Sequence, residues 1–293
     1  MLTKYKTIVE KQLKEYFDEY SKNSSYSSKI WEAMAYTTLL NGKRLRAIMC
    51  IETGLLFGAK ISQLLPMACS LEIMHAYSLI HDDLPCMDND DLRRGKPSNH
   101  KVFGEAVATL AGDALIPFGA QIIIEKTPKS VPRTTILDIV HDYNRTAGAM
   151  GIVAGQVADI EAENKEIDFD NLQYIHKYKT GALFICSMIT GAKIAKVSYD
   201  CVLKIKEYAQ NFGILFQIYD DIIDCTLTTE QLGKTAGKDK HSNKLTYVSA
   251  FGLKEAKNKF YSLIDVNHDI LTKLNIESNI FNEIENNLIN KIN

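Results

Sequence analysis

Proline is absent from this chain after residue 132, and only six prolines occur among its 293 residues. More than half of the sequence therefore lacks the strongest helix breaker, and long helices are permitted there. Paired cysteines are missing too. Cys50, Cys69, Cys86, Cys186, Cys201 and Cys225 include no CxxC pair and lie in helix-like or site-like sequence rather than short loops, the pattern of reduced thiols in a reducing compartment. Neither sign of charge dominates: 34 Lys and Arg face 36 Asp and Glu, a formal net charge of -2. No global basic field gathers nucleic acid or anionic lipid, so any anion site is local. The amino-terminal stretch MLTKYKTIVEKQLKEYF carries charge throughout and has no apolar signal-peptide core. No run is expected to reach the roughly 18 apolar residues of a membrane span. The expectation is a cytoplasmic protein without a membrane span.

What is present is helical spacing. Apolar residues recur at helical spacing in Ile8, Leu13 and Phe17, in Ile136, Ile139, Val140 and Tyr143, and in Ile205, Tyr208, Phe212 and Leu215. Strand-like alternation is scarce and no fixed-period repeat exists. Loops are expected at Pro85 to Pro97, Thr127 to Pro132, Asn164 to Asp170 and Thr226 to Asn243. None has the length or composition of an interdomain linker. The expected architecture is all-α, a single domain over 1–293, large enough to bury a sizeable core.

The chemistry is concentrated in two acidic segments. His81 to Lys96 (HDDLPCMDNDDLRRGK) places five aspartates within ten residues and three bases just after. It follows an apolar helical stretch, Cys69 to Ile80, so the acids sit at a helix C-terminus, where the macrodipole disfavours negative charge by up to about 1 kcal/mol. A bound cation reverses that penalty. In Phe216 to Asp224 (FQIYDDIID), Asp220 and Asp224 fall at i and i+4, one turn apart on one face, and repel unless something neutralises them. Carboxylate pairs with open coordination positions suit magnesium, which keeps waters and bridges to substrate phosphates. Two such walls could grip one diphosphate.

Short basic groups complete the balance: Lys43, Arg44 and Arg46, then Arg93 and Arg94, Lys179 with Thr180, and Gly233 with Lys234. Arginine forks bind phosphate oxygens bidentately, although each group taken singly is more often a surface charge. Gly233-Lys234-Thr235 imitates the end of a P-loop, but Thr228 stands where the first glycine belongs and no strand precedes it, so a nucleotide site is excluded. His75 lies seven residues before Asp82, on nearly the same helical face. As a phosphate donor or as an ordinary core or surface histidine it fits equally well.

The series GKRLR, HAYSLIHDDLPCMDNDDLRRG, GQVADI, KYKTGALF, FQIYDDIID and LGKTAGKD, from about Leu40 to Leu253, resembles the trans-isoprenyl diphosphate synthases, most of all the bacterial farnesyl diphosphate synthases. The first aspartate-rich motif has the longer DDxxxxD spacing at Asp82, Asp83 and Asp88, and the second has DDxxD at Asp220, Asp221 and Asp224. The resemblance implies an isoprenoid-synthase-type helical bundle around a deep cavity, a homodimer, and three magnesium ions held by those six aspartates. It implies that Lys43, Arg46, His75 and Arg94 bind isopentenyl diphosphate. Arg93, Lys179, Thr180, Gln217 and Lys234 would contact the allylic diphosphate, with Lys179, Thr180 and Lys234 serving catalysis beside Asp82, Asp83, Asp88, Asp220 and Asp221. Asn41 and Asn89 depart from the family pattern without removing a presumed ligand.

On that footing the expected reaction is head-to-tail condensation of isopentenyl with dimethylallyl or geranyl diphosphate. The growing tail would run down the helix that carries Asp82. Tyr77, about 7.5 Å deeper along the axis, would form the floor beside the small Ser78 and limit the product mainly to fifteen carbons, unless it is a core aromatic with no gating role. A geranylgeranyl or geranyl diphosphate synthase, a non-catalytic partner subunit and a terpene cyclase are the alternatives. Two intact aspartate motifs count against the second of these, and the extra basic groups count against the third.

Overall fold

The computed structural model describes residues 1–22, 28–162, 165, 168–227 and 245–293. They are almost wholly helical, and the only sheet among them is a two-stranded hairpin. They group into two compact units, 1–144 and 145–293.

The first unit holds α1 (Leu2–Ser21), α2 (Ser28–Leu39), α3 (Leu45–Leu56), α4 (Ile61–Asp82), the hairpin β1 (Leu92–Arg93) and β2 (Lys96–Pro97), α5 (Asn99–Phe103), α6 (Glu105–Lys126) and most of α7 (Arg133–Ala147). α4 is apolar almost all round and packs against α3 and α6, as a fully buried helix must. Val9, Leu13, Tyr16 and Phe17 turn the apolar stripe of α1 inward, and Phe118 packs its ring 5.3 Å from Phe17 and 5.2 Å from Trp31. Two prolines, Pro66 and Pro117, are accommodated inside α4 and α6. By length and composition alone α6 could cross a membrane, contrary to the expectation from the sequence; its stretch 106–124 carries a single charge, Asp113. Its buried face, from Ala108 through Gly112 and Leu115 to Ile123, packs on α4.

The start of α3 depends on charge. Arg44 precedes it in the left-handed conformation (φ 54°) and offers no side-chain cap. Glu72, reaching from α4, fills that role: its Oε1 accepts from the Ala47 N–H at 3.1 Å, while Oε2 lies 3.5 Å from the Arg44 guanidinium. Arg44 also meets Glu10 at 3.4 Å and donates to the Leu40 carbonyl at 2.7 Å. Arg44 and Glu72 are both buried.

The second unit contains α8 (Ile152–Ala162), α9 (Phe169–Ile175), a π-helical turn over His176–Gly181, α10 (Ala182–Ile194), α11 (Tyr199–Thr226), α12 (Tyr247–Phe251), α13 (Leu253–Lys273) and α14 (Asn279–Ile292). Ile205, Tyr208, Phe212 and Leu215 form the inner stripe of α11, as their spacing predicts. α11 packs on α10, α13 and the π turn. Tyr208 donates to buried Glu285 on α14 at 3.3 Å, and His268 on α13 meets the same carboxylate at 2.7 Å.

Glu72→Ala leaves Arg44 buried with a weaker partner and the first turn of α3 uncapped. The expected loss is about 3 kcal/mol of unfolding free energy, typical of removing one member of a buried ion pair. Urea denaturation followed by circular dichroism measures it.

Candidate active site

In the first unit the end of α4 delivers Asp82, and the chain then curls back on itself. The Asp88 N–H donates to the Asp82 carbonyl at 2.9 Å, and the Leu84 carbonyl accepts from Met87 and Asn89. Asn89 closes this turn at φ 49°, a left-handed conformation that asparagine tolerates better than most residues. Asn89 thus suits the loop that brings residues 82 and 88 together. Arg94 and Gly95, both at positive φ, form the two-residue connection between β1 and β2, the geometry preferred for tight hairpins. The turn separates the two arginines.

Arg93 lays its fork on Asp83: Nε donates to both carboxylate oxygens at 3.0 and 3.2 Å, and Nη2 also donates to Oδ1. Burial alone would lower the Arg93 pKa, but bonding to Asp83 and the charges of Asp83, Asp82 and Asp88 raise it above the ordinary value. Asp83 is 1% exposed, and burial pushes its carboxyl upward against the pull of Arg93. Arg94 turns the other way, donating to the Leu40 carbonyl at 3.1 Å. Its guanidinium lies 2.6 Å from where a Cβ on Gly42 would sit, so a side chain at position 42 of the GKRLR segment would push the guanidinium aside. Burial, followed by repulsion from Arg44, lowers the Arg94 pKa to about 10. His75, half-buried on α4, is held well below its usual pKa by burial and then by Arg46, Arg94, Arg93 and Arg44. Lys43 is exposed and Arg46 half-buried at the start of α3. This excess of positive charge is a place for an anion.

Deeper along α4, buried Tyr77 meets the His81 ring edge-on at 5.9 Å. His81 Nε2 lies 3.0 Å from the Thr109 carbonyl, and its ring fills the space over Gly112, where a Cβ would approach within 2.1 Å. Ser78 turns its hydroxyl back to the His75 carbonyl.

In the second unit the π turn carries Lys179 and Thr180. Such turns bulge a helix by one residue and are frequent at functional sites. Two glycines permit it here: a Cβ on Gly155 of α8 would lie 2.1 Å from the Lys179 nitrogen, and one on Gly213 of α11 would lie 2.7 Å from the Gly181 Cα. Lys179 reaches Asp159 at 2.6 Å. Thr180 donates to Gln217 Oε1 at 3.0 Å, and Gln217 Nε2 donates to Asp221 Oδ1 at 3.1 Å. Asp221 Oδ2 accepts from the Tyr247 N–H at 2.8 Å. These groups line a cavity of about 90 Å³, together with His176, Leu172 and Thr246. Asp220 is half-buried and Asp224 is buried one turn further along α11. Lys234 lies outside the described residues.

The two motifs share a division of labour. The second aspartate of each, Asp83 and Asp221, is buried against protein donors, while the first, Asp82 and Asp220, is half-buried beside it. Among the described residues, no three His, Cys, Asp or Glu groups lie close enough to hold a metal by themselves. The carboxylates are instead arranged in small groups, a donor set that fits magnesium held in part by substrate oxygens.

The sequence pattern of the polyprenyl synthetase family matches residues 27–274, which include every residue named for the site. The chain belongs to this family. A polyprenyl synthetase described as dimethylallyltranstransferase, from Fischerella ambigua, is 43% identical over 248 residues, 84% of this chain and 71% of the relative. The heterodimeric geranylgeranyl pyrophosphate synthase large subunit 1 of Arabidopsis thaliana, a chloroplastic protein, is 46% identical over 233 residues, 78% of this chain and 63% of that subunit. The crystal structure of an FPP/GFPP synthase from Zymomonas mobilis superposes with a TM-score of 0.85 at 31% identity, covering 98% of this chain and all of the other. The all-α isoprenoid synthase fold is therefore shared with the polyprenyl synthetases.

Several contributors carried no assigned role in the sequence reading. Glu72, Asp159, Gly155 and Gly213 act through contacts between segments distant in sequence, although the family's GQVADI motif contained two of them; Arg44, one of the basic groups suited to phosphate by its sequence, is instead buried against Glu72 and Glu10. Gly213→Ala drives a methyl group into the π turn. It should lower stability by about 1 to 3 kcal/mol and impair turnover more than a surface control such as Lys206→Ala. Thermal unfolding and steady-state rates on the same preparations test this.

Proposed function

We propose that this polyprenyl synthetase condenses isopentenyl diphosphate with dimethylallyl and geranyl diphosphates and releases diphosphate, with farnesyl diphosphate as the main product. What supports the reading is that the basic and polar side chains suited to phosphate fall into two sets. Arg46, Arg94, His75 and Lys43 form one in the first unit, and Lys179, Thr180 and Gln217 form the other in the second. A cyclase, with a single diphosphate to bind, has no use for the first set.

Lys43, Arg46 and Arg94 hold the isopentenyl diphosphate by charge. His75, whose pKa burial and then its arginine neighbours push well down, donates a hydrogen bond. Lys179, Arg93 and Lys234 draw charge onto the allylic diphosphate as it leaves, a preorganised electrostatic effect. Thr180 donates its proton to Gln217, so its oxygen lone pairs are available to the allylic cation. The isopentenyl double bond attacks that cation, and a proton passes to the departing diphosphate. Asp82, Asp88, Asp220 and Asp224 would hold magnesium ions, three in number by the family resemblance, with Asp83 and Asp221 orienting their neighbours. Magnesium, when bound, neutralises charge developing on the leaving group.

Product length rests on Tyr77, whose buried phenol backed by His81 supports its role as the floor. A geranylgeranyl product is the second reading, favoured by the Arabidopsis relative, whose description also names a heterodimer. We propose pairing of two copies of this chain instead, supported by the exposed apolar side chains Leu110 and Ile124 on α6 and by Val153, Val157 and Ile160 on α8.

Purified protein incubated with isopentenyl and geranyl diphosphates should yield a fifteen-carbon product only when magnesium is present; chromatography that shows no product overturns the reading. Asp82→Ala and Asp220→Ala should each lower kcat by roughly 10²- to 10³-fold, the scale of losing one preorganised transition-state contact, with unchanged circular dichroism. Tyr77→Ala should shift products toward twenty carbons and beyond, and an unaltered distribution removes Tyr77 from the floor.

A further inference from the structure

The Thr180–Gln217–Asp221 chain ends at a main-chain group. The N–H of Tyr247, first residue of α12, donates to Asp221 Oδ2 at 2.8 Å. A helix of five residues is not stable alone, yet this one is held at three points. Thr246 and Ser249 form a reciprocal capping box, with bonds of 3.0 and 2.8 Å. The Tyr247 ring lies 5.6 Å from Phe169 and 5.0 Å from Phe251, and those two rings lie 5.0 Å apart. Gly252, at φ 84°, ends the helix and begins α13. The donor is thus fixed by packing against α9, the helix that leads into the π turn.

We propose that the start of α12 is a positioning element for the reaction. The Tyr247 N–H, locked by the Phe169–Tyr247–Phe251 ring cluster, sets the orientation of Asp221 and through it the polarity of Gln217 and Thr180. An ionised carboxylate only accepts hydrogen bonds. Asp221 therefore draws the amide nitrogen of Gln217 toward itself and turns the amide oxygen to Thr180, which spends its hydroxyl proton there. Without the Tyr247 donor, a buried carboxylate loses one of the groups that hold its plane. Gln217 is then free to flip, and Thr180 to rotate. The inference rests on the allylic-diphosphate reading of Lys179 and Thr180 given above.

Position 247 allows the donor to be removed cleanly. It is the first helical residue, where proline is well tolerated because its missing N–H serves no intrahelical bond. Thr246 already has the extended conformation required before proline (φ -125°, ψ 167°). Tyr247→Ala deletes the ring and keeps the N–H, whereas Tyr247→Pro deletes both. The expected result is an allylic KM raised in Tyr247→Ala, whose donor loses its ring anchor, and about tenfold or more higher again in Tyr247→Pro, which has no donor, with the isopentenyl KM equal within twofold. Equal allylic KM values in the two variants overturn the proposal.

A protein with the Tyr247 amide replaced by an ester, made by incorporating the hydroxy acid, keeps the ring and lacks only the N–H. It should match Tyr247→Pro in allylic KM, and wild-type behaviour of the ester overturns the proposal even where the proline variant fails to fold. Hydrogen exchange needs no turnover: the Tyr247 amide should be protected in the wild type and exchange faster in Asp221→Ala, and an unprotected wild-type amide overturns the proposal. Wild-type protein that makes no prenyl product while its Tyr247 amide is protected instead overturns the assigned reaction.

Discussion

Like charges held close together are the constraint on which the first unit is built. Arg46, Arg94, Arg93 and Arg44 all bear on the same imidazole, His75, and add to the effect of burial in lowering its pKa. The structure answers this repulsion selectively. Arg44 is countered by Glu10 and Glu72, and Arg93 by Asp83. Arg94 feels repulsion from three other arginines and only one opposing acid, Glu72. The residual positive charge suits the diphosphate that we propose binds there. The two arginines with buried acid partners are the framework around which Arg46 and Arg94 are displayed.

The second unit solves a different problem, that of placing short side chains where a regular helix would not. The π turn advances Lys179 and Thr180 by one residue, and its cost is met by close packing that only glycines at 155 and 213 allow. Lys179 is then held by Asp159, and Thr180 by Gln217. Each polar group therefore has a single orientation before substrate arrives, the condition under which electrostatic stabilisation avoids reorganisation during the reaction.

Much of this was legible in the sequence. The apolar spacing of α11, the acidic loop after α4 and the i, i+4 pair Asp220 and Asp224 follow from helical periodicity and from repulsion between carboxylates, both local properties. The unequal roles within each motif were not legible, because Asp82 and Asp83 are the same residue type and differ only in what the fold brings to them. Arg93 arrives from a hairpin ten residues away, and the Tyr247 N–H from a helix 26 residues on. The π turn was equally hidden, since its signal is two glycines on other helices. The membrane-like composition of α6 escaped notice because its single Asp113 interrupts the run, while its small residues look unremarkable until set against α4.

One of those small residues ties two properties together. Gly112 gives the His81 ring its place between α4 and α6, and that ring is the surface against which Tyr77 rests. Any side chain at position 112 must displace the imidazole, and the phenol with it. If Tyr77 is the floor proposed above, the spacing of two core helices and the depth available to a growing hydrocarbon are linked through Gly112, and a change in product length at this point would come with an altered helix crossing.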